Sequence, residues 1–220
     1  MKIDIFSPLN CALCKYNICH NELPFCAECI GELQKLLVTP CRKCGKLPSL
    51  CECGGNSGLR FAFFYKGRTA QKLIYAHKTK ADSRVADFLA ELVVRSSGIN
   101  PKSYDAVAFV PRLKRNKRRY GYDQSELLAK SLSRLYGIEL IYPLERVGGS
   151  EQKLLGRAER YKNMKNRFKI REGFDTEVKY NKILLVDDVC TTGATITACA
   201  DILRGNIARG VVPFVIAKTD

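Results

Sequence analysis

The chain has 220 residues, eleven cysteines and a formal net charge of +15 at pH 7, a length that holds one ordinary α/β domain and a small appendage. No apolar run reaches the roughly 18 residues a membrane span needs, and the N-terminal "MKIDIFSPLNC" lacks the apolar core of a secretion signal. The expected location is therefore the cytoplasm, or the periphery of the inner membrane face.

In chain order, the first 56 residues hold nine of the eleven cysteines and close on the Gly/Ser-rich "CECGGNSGLR". That composition marks a linker and a boundary near Ser57, giving a small Cys-rich domain over 1–56 and a larger one over 57–220. "RFAFFYKG" reads as a strand. From Thr69 to Ser97 the apolar spacing predicts helices, with Leu73, Ile74, Val85, Phe88, Leu89, Leu92 and Val93 toward the core. "YDAVAFVP" is a second buried strand, and "QSELLAKSLSRLYG" an amphipathic helix stopped by Gly137. "IELIYPL", "KILLVDD" and "VVPFVIAKT" supply further strands, with "TGATITACADILRG" as the crossover helix between the last two. Alternating strands and helices argue for an α/β fold with a mostly parallel sheet flanked by helices.

The cysteines fall as "CALC" (Cys11, Cys14), "CAEC" (Cys26, Cys29), "CRKC" (Cys41, Cys44) and "CEC" (Cys51, Cys53). A CxxC loop folds two sulfurs onto one tetrahedral face, so two pairs close a structural Zn²⁺ site. Eight ligands allow two sites. The simplest assignment joins adjacent pairs, Cys11, Cys14, Cys26 and Cys29 on one zinc and Cys41, Cys44, Cys51 and Cys53 on the other; an interleaved pairing stays open. Cys19 and His20 are left as bystanders, and Cys199 belongs to a helix core. Structural disulfides are the competing reading, disfavoured without a secretion signal.

In "ILLVDDVCTTGAT", Ile183 to Thr195, an unbroken apolar run suits a strand covered on both faces. The polar burst after it falls at the carboxyl end, where open α/β sheets bind ligands. The turn Thr191, Thr192, Gly193, Ala194 and Thr195 can aim backbone N–H groups inward at a helix N-terminus, a cradle for a phosphate monoester. Asp187 and Asp188 beside it suit vicinal ribose hydroxyls or Mg²⁺. A ribose 5-phosphate fits both halves. The blander alternative makes Thr191 a helix cap and leaves the aspartates solvated.

Residues 1–56 carry 6 basic and 5 acidic side chains, so nearly all the positive excess lies beyond them. "RLKRNKRR" (Arg112 to Arg119) and Lys153 to Arg171 dominate, the latter with eight basic residues against Glu159 alone. Such a field attracts polyanions, unless it is a solvated face that aids solubility. If Gln152 to Phe168 is helical, Lys153, Arg157, Arg160, Arg167 and Arg171 form a basic stripe. Tyr161 and Phe168 are then available for base stacking, although Phe168 also suits a core anchor.

"LLVDDVCTTGAT" resembles the phosphoribosyl-pyrophosphate signature of type I phosphoribosyltransferases. More narrowly, the chain from about Cys11 to Lys218 resembles the ComF family (ComFC and GntX-like proteins). The likeness rests on N-terminal Cys pairs, Lys78 after a helix, "VPRLKRNKRRYGYDQSELLAK", "QKLLGRAERYKNMKNRF" and then the signature. Tyr120 stands before Gly121 where the family usually has Arg, with Arg119 one step earlier. The resemblance implies a type I phosphoribosyltransferase fold over 57–220 with an N-terminal zinc-binding double knuckle. It implies ribose contacts from Asp187 and Asp188, a 5-phosphate loop at Thr191 to Thr195, and pyrophosphate contacts from Lys78, Pro111, Arg112 and Arg119, with Mg²⁺ accompanying the ligand. Lys78 also reads as a plain surface lysine.

It further implies handling of single-stranded DNA in natural transformation, with a helicase-like competence partner; Arg115, Lys117, Arg118, Lys153, Arg157, Arg160 and Arg167 are the expected nucleic-acid contacts. The alternative is an active phosphoribosyltransferase with an unidentified acceptor. Type I transferases usually build the acceptor pocket from an added hood, whereas this sequence stops directly after its last strand and spends its N-terminal addition on zinc. A zinc-ribbon adaptor, the third possibility, explains the cysteines but not Asp187 to Thr195.

Overall fold

The computed structural model describes residues 9–18, 23–38, 44, 46, 59–79, 81–97, 100–112, 121–147 and 166–219. The chain opens with a two-stranded antiparallel hairpin, β1 (Leu9–Asn10) and β2 (Asn17–Ile18), followed by α1 (Ala27–Val38). Then come β3 (Arg60–Phe64), α2 (Gly67–Thr79), α3 (Ser83–Ser97), β4 (Ala106–Phe109) and α4 (Gln124–Tyr136). Short strands β5 (Glu139–Leu140), β6 (Leu144–Arg146) and β7 (Phe168–Ile170) precede β8 (Tyr180–Cys190), α5 (Ala194–Asn206) and β9 (Ala208–Lys218).

Five strands form one sheet in the order β3-β9-β8-β4-β5, and every pairing in it is parallel. This is the mostly parallel, helix-flanked α/β class expected from the sequence. Ile183, Leu184, Leu185 and Val186 of the central strand are all fully buried, because helices cover both faces and leave neither side of the pleat to water. Leu184 and Val186 pack with Leu128 and Leu132 of α4 and Leu73 and Ile74 of α2. Ile183 and Leu185 point the other way and pack with Ile196, Cys199 and Leu203 of α5. Alternation along a strand thus divides the interior into two cores. Asp105 fixes the register at the start of the sheet: its carboxylate accepts from the backbone N–H groups of Asn181 (2.6 Å) and Lys182 (2.9 Å).

The N-terminal unit shares the first core. Cys11, Leu13, Phe25 and Leu33 join it, and Phe25 meets Phe88 of α3 edge to face at 4.8 Å between ring centroids. All the expected core residues of α2 and α3 pack there, Phe88 partly buried.

Three local expectations need correction. "IELIYPL" is not one strand: Ile141 makes the last backbone bond to β4, and Pro143, with no N–H to donate, separates β5 from β6. β6 turns to pair antiparallel with β7. The helix imagined for Gln152 to Phe168 does not reach its end, since Arg167 lies in a turn and Phe168 in β7. Arg167 and Arg171 therefore do not continue a helical stripe, and Phe168 is buried in the second core rather than offered to a base. Lastly, β8 does not end at its aspartates. It runs to Cys190 because β9 keeps pairing with it as far as Lys218, while β4 pairs with it only to Val186.

Candidate functional site

That difference in strand length makes the site. From β4 the chain passes through α4 to β5, and from β8 it passes through α5 to β9 on the opposite side. The two helices cover opposite faces, so a crevice opens beyond the carboxyl end of β4, at the switch point where open α/β sheets bind ligands. Asp187 and Asp188 occupy β8 just past its last pair with β4.

Asp188 is 5% exposed. Its Oδ2 is paired with the Arg112 guanidinium and lies 3.3 Å from the Lys78 ammonium. Burial alone would raise its pKa; the charges of Arg112 and Lys78 outweigh burial and hold it below the usual carboxylate range. Among the described residues no cation pairs directly with Asp187. Burial, and then the charge of Asp188, push it up to about 7, against the hydrogen bond it accepts from Ser125 Oγ at 2.8 Å. The environments of two neighbouring carboxylates thus push them apart, Asp188 ionised below the usual range and Asp187 raised to about 7.

The cations are held by the junction of α2 and α4. Asp123 caps α4, accepting from Ser125 N (3.1 Å) and Glu126 N (3.4 Å), while its other oxygen accepts from Arg112 N at 2.9 Å. Pro111 is buried beside it. Tyr122 donates to His77 O (3.0 Å) and Gln124 Nε2 to Lys78 O (3.0 Å), while His77 Nε2 sits 3.1 Å from Gln124 O. These bonds lock the end of α2, and with it Lys78, over the acidic pair. His77 is fully buried, and that burial lowers its pKa to about 4, so the bond to Gln124 comes from a neutral imidazole.

Beyond the aspartates, Thr191, Thr192 and Gly193 form a bend, and Gly193 takes φ 78° to turn the chain into α5. Gly193 at the cap has no side chain to offer, and Ala194 N, the first of the helix, donates to Thr192 Oγ1 at 3.4 Å. Thr191 to Thr195 line a pocket of about 280 Å³ with Asp187 and Cys190. A helix N-terminus whose turn approaches through a glycine leaves backbone donors and the positive end of the helix dipole facing that space. The structure therefore brings together Lys78, Pro111, Arg112, Asp187, Asp188 and the Thr191 to Thr195 loop. Arg115, Lys117, Arg118, Arg119, Lys153, Arg157 and Arg160 lie outside the described residues, and Arg167 stands apart, at the start of β7. Sequence reasoning missed Asp123, Ser125 and His77. The signal for the first was present, an Asp directly before the amphipathic helix.

The metal cluster is separate. Cys11 and Cys14 sit on the turn of the β1–β2 hairpin, where Cys11 N donates to Tyr16 O, and Cys26 and Cys29 lie at the start of α1. Their four sulfurs all lie within 4.8 Å of one another; a tetrahedral zinc with bonds of about 2.3 Å needs its sulfurs roughly 3.8 Å apart. The set fits one closed structural ion and pairs the first two motifs as the simplest assignment expected. Burial opposes ionisation of Cys11, but backbone N–H groups of Cys14, Cys26 and Leu13 offset it and lower the thiol to about 6. Burial and the neighbouring sulfurs raise Cys29, a crowding that a cation relieves. Of the second set only Cys44 is described; Cys41, Cys51 and Cys53 lie outside, as do Cys19 and His20.

No family model matches the sequence. The DNA utilization protein YhgH of Escherichia coli (strain K12) is 29% identical over 158 residues, 67% of this chain and 66% of that protein. Competence protein F of Haemophilus influenzae is 35% identical over 102 residues, 46% of this chain and 44% of that protein. The chain is thus similar to proteins named for DNA utilization and for competence. Its match spans about 66% of the length of the YhgH relative. Among solved structures, adenine phosphoribosyltransferase from Leishmania tarentolae aligns with a TM-score of 0.37 and 17% identity, covering 60% of this chain and 56% of that one. No helix among the described residues is long and apolar enough to cross a membrane.

Proposed function

We propose that this protein is a member of the ComF family that binds phosphoribosyl pyrophosphate in the β4–β8 crevice and handles single-stranded DNA through its basic surface, in a competence or DNA-utilization role. The observation that carries the first half is the meeting, at one crevice, of an acidic pair, a helix N-terminus entered through a threonine-rich turn and two cations. The 5-phosphate accepts from the Thr191 to Thr195 backbone and hydroxyls, the ribose hydroxyls donate to Asp187 and Asp188, and Arg112 and Lys78 face the pyrophosphate. Asp187 and Asp188 offer the oxygen donors Mg²⁺ takes, and the ion supplies neutralising charge to the pyrophosphate. Arg112 and Lys78 must release Asp188 as they take up the ligand, so the ion cluster of the free protein is exchanged for ligand contacts.

The names of the YhgH and competence relatives, and an excess of positive charge concentrated beyond residue 56, support the second half. A helicase-like partner and a location at the inner membrane face belong to the same reading. The transferase reading is favoured by one feature: Arg112 and Lys78 converge where a departing pyrophosphate needs charge stabilisation. A pyrophosphate-release assay with common nucleobases and with oligonucleotides as acceptors tests it. Release that depends on an acceptor makes the protein a transferase; none, with ligand binding intact, makes the site a sensor.

A further inference from the structure

One surface remains that neither the crevice nor the cysteines use. The outer face of α2 carries Arg68, Gln71, Lys72 and Tyr75 at helical spacing, and with Tyr65, and with Lys78 where it borders the crevice, they line a depression of about 680 Å³. The helix contains no acidic residue. Among the described residues no carboxylate pairs with Arg68 or Lys72. Tyr75 is 69% exposed, so a ring that would gain from burial is left in water one helical turn beyond Lys72 and two beyond Arg68. Asp82, close in sequence, is already taken by Arg84 at 2.9 Å.

We infer that this face of α2 binds a single nucleic-acid strand, a base stacking on Tyr75 while phosphates lie on Arg68 and Lys72. Two cations in line with an exposed aromatic ring on one helix face match a chain that alternates negative charge with planar rings. An acidic peptide would use the cations but leave the tyrosine unexplained, and a duplex keeps its bases stacked inside. Arg68 and Lys72 stand one helical turn apart, about 6 Å along the axis. The track leads to Lys78, whose ammonium lies against Asp188, and so delivers a strand to the edge of the phosphoribosyl crevice. The inference rests on the single-strand reading proposed above and assigns it a place.

The test is fluorescence anisotropy of a labelled oligothymidylate across a salt series, alongside calorimetry with phosphoribosyl pyrophosphate. Tyr75→Ala should weaken oligonucleotide binding about tenfold with the salt slope unchanged, because stacking is not screened. Arg68→Ala with Lys72→Ala should lower the slope by about 1.4, two lost phosphate contacts at roughly 0.7 each. Both variants should bind phosphoribosyl pyrophosphate and melt as the wild type does, since the altered side chains are exposed. Variants that hold the oligonucleotide as tightly as the wild type overturn this placement alone. Wild-type protein that ignores the oligonucleotide overturns the single-strand reading with it. A mononucleotide that binds as tightly as the oligonucleotide makes the depression a small-ligand pocket and also refutes the inference.

Discussion

Asp188→Asn probes the ion cluster that organises the crevice. The carboxylate side chain is 8% exposed, and its partners Arg112 and Lys78 are 21% and 37% exposed. Asparagine keeps an oxygen for the bond now accepted from Val189 N at 2.7 Å, so the substitution removes charge and little else. Breaking a fully buried pair costs about 3 to 5 kcal/mol when the survivor is left dry. Here the survivors are two cations with access to water, so the cost should fall to about 2 kcal/mol. For a chain of this size that lowers Tm by roughly 4 to 8 °C. The control is Glu91→Gln, which breaks the exposed Glu91–Arg95 pair of α3 (3.4 Å) and should move Tm by no more than about 1 °C. Thermal melts of both variants decide the matter. If Asp188→Asn melts with the wild type, Asp188 is solvated and the electrostatic account of the crevice is wrong.

Metal analysis of purified protein should find about two Zn²⁺ per chain, with Cys29→Ser removing one equivalent and loosening the N-terminal unit, and Cys41→Ser removing the other; metal-free protein with intact disulfides contradicts this. Because Asp187 titrates near 7, affinity for phosphoribosyl pyrophosphate should rise about tenfold between roughly pH 6 and 8, and Asp187→Asn should flatten that part of the profile. Ser125→Ala removes the hydrogen bond that opposes the shift and should move the midpoint upward. The raised value has the opposite sign for folding: the contribution of Asp187 to stability is present below its unfolded pKa near 4 and is lost as pH rises through about 7. Alanine at Arg115, Lys117 and Arg118 together should reduce the salt slope of oligonucleotide binding by about 2; an unchanged slope removes that run from the DNA surface.

The sequence made the sheet and the strand-end turn legible because both depend on local pattern: an apolar run flanked by turn residues, and a glycine one step before a helix. It placed the aspartates near the right sheet end but misjudged the strand, since β8 is prolonged by pairing with β9, a partner whose length no local pattern reports. The partners of Asp188 come from α2 and from the end of β4. Nothing in the spacing of Lys78, Arg112 and Asp188 says that they meet, although the family resemblance had set both cations among the pyrophosphate contacts. Asp123 and Ser125 were hidden in the same way, one as an ordinary helix cap and the other as an unremarked serine in the first turn. The helical stripe failed at Arg167 because β6 claims the following residues as a strand.

The central claim is that the β4–β8 crevice holds phosphoribosyl pyrophosphate, and isothermal titration of that ligand with Mg²⁺ into wild-type protein and the Asp187→Asn, Asp188→Asn double variant tests it directly. The account predicts one site per chain for the wild type and none for the double variant, with zinc content unchanged in both. Equal binding by the two proteins, or no binding by the wild type, contradicts it.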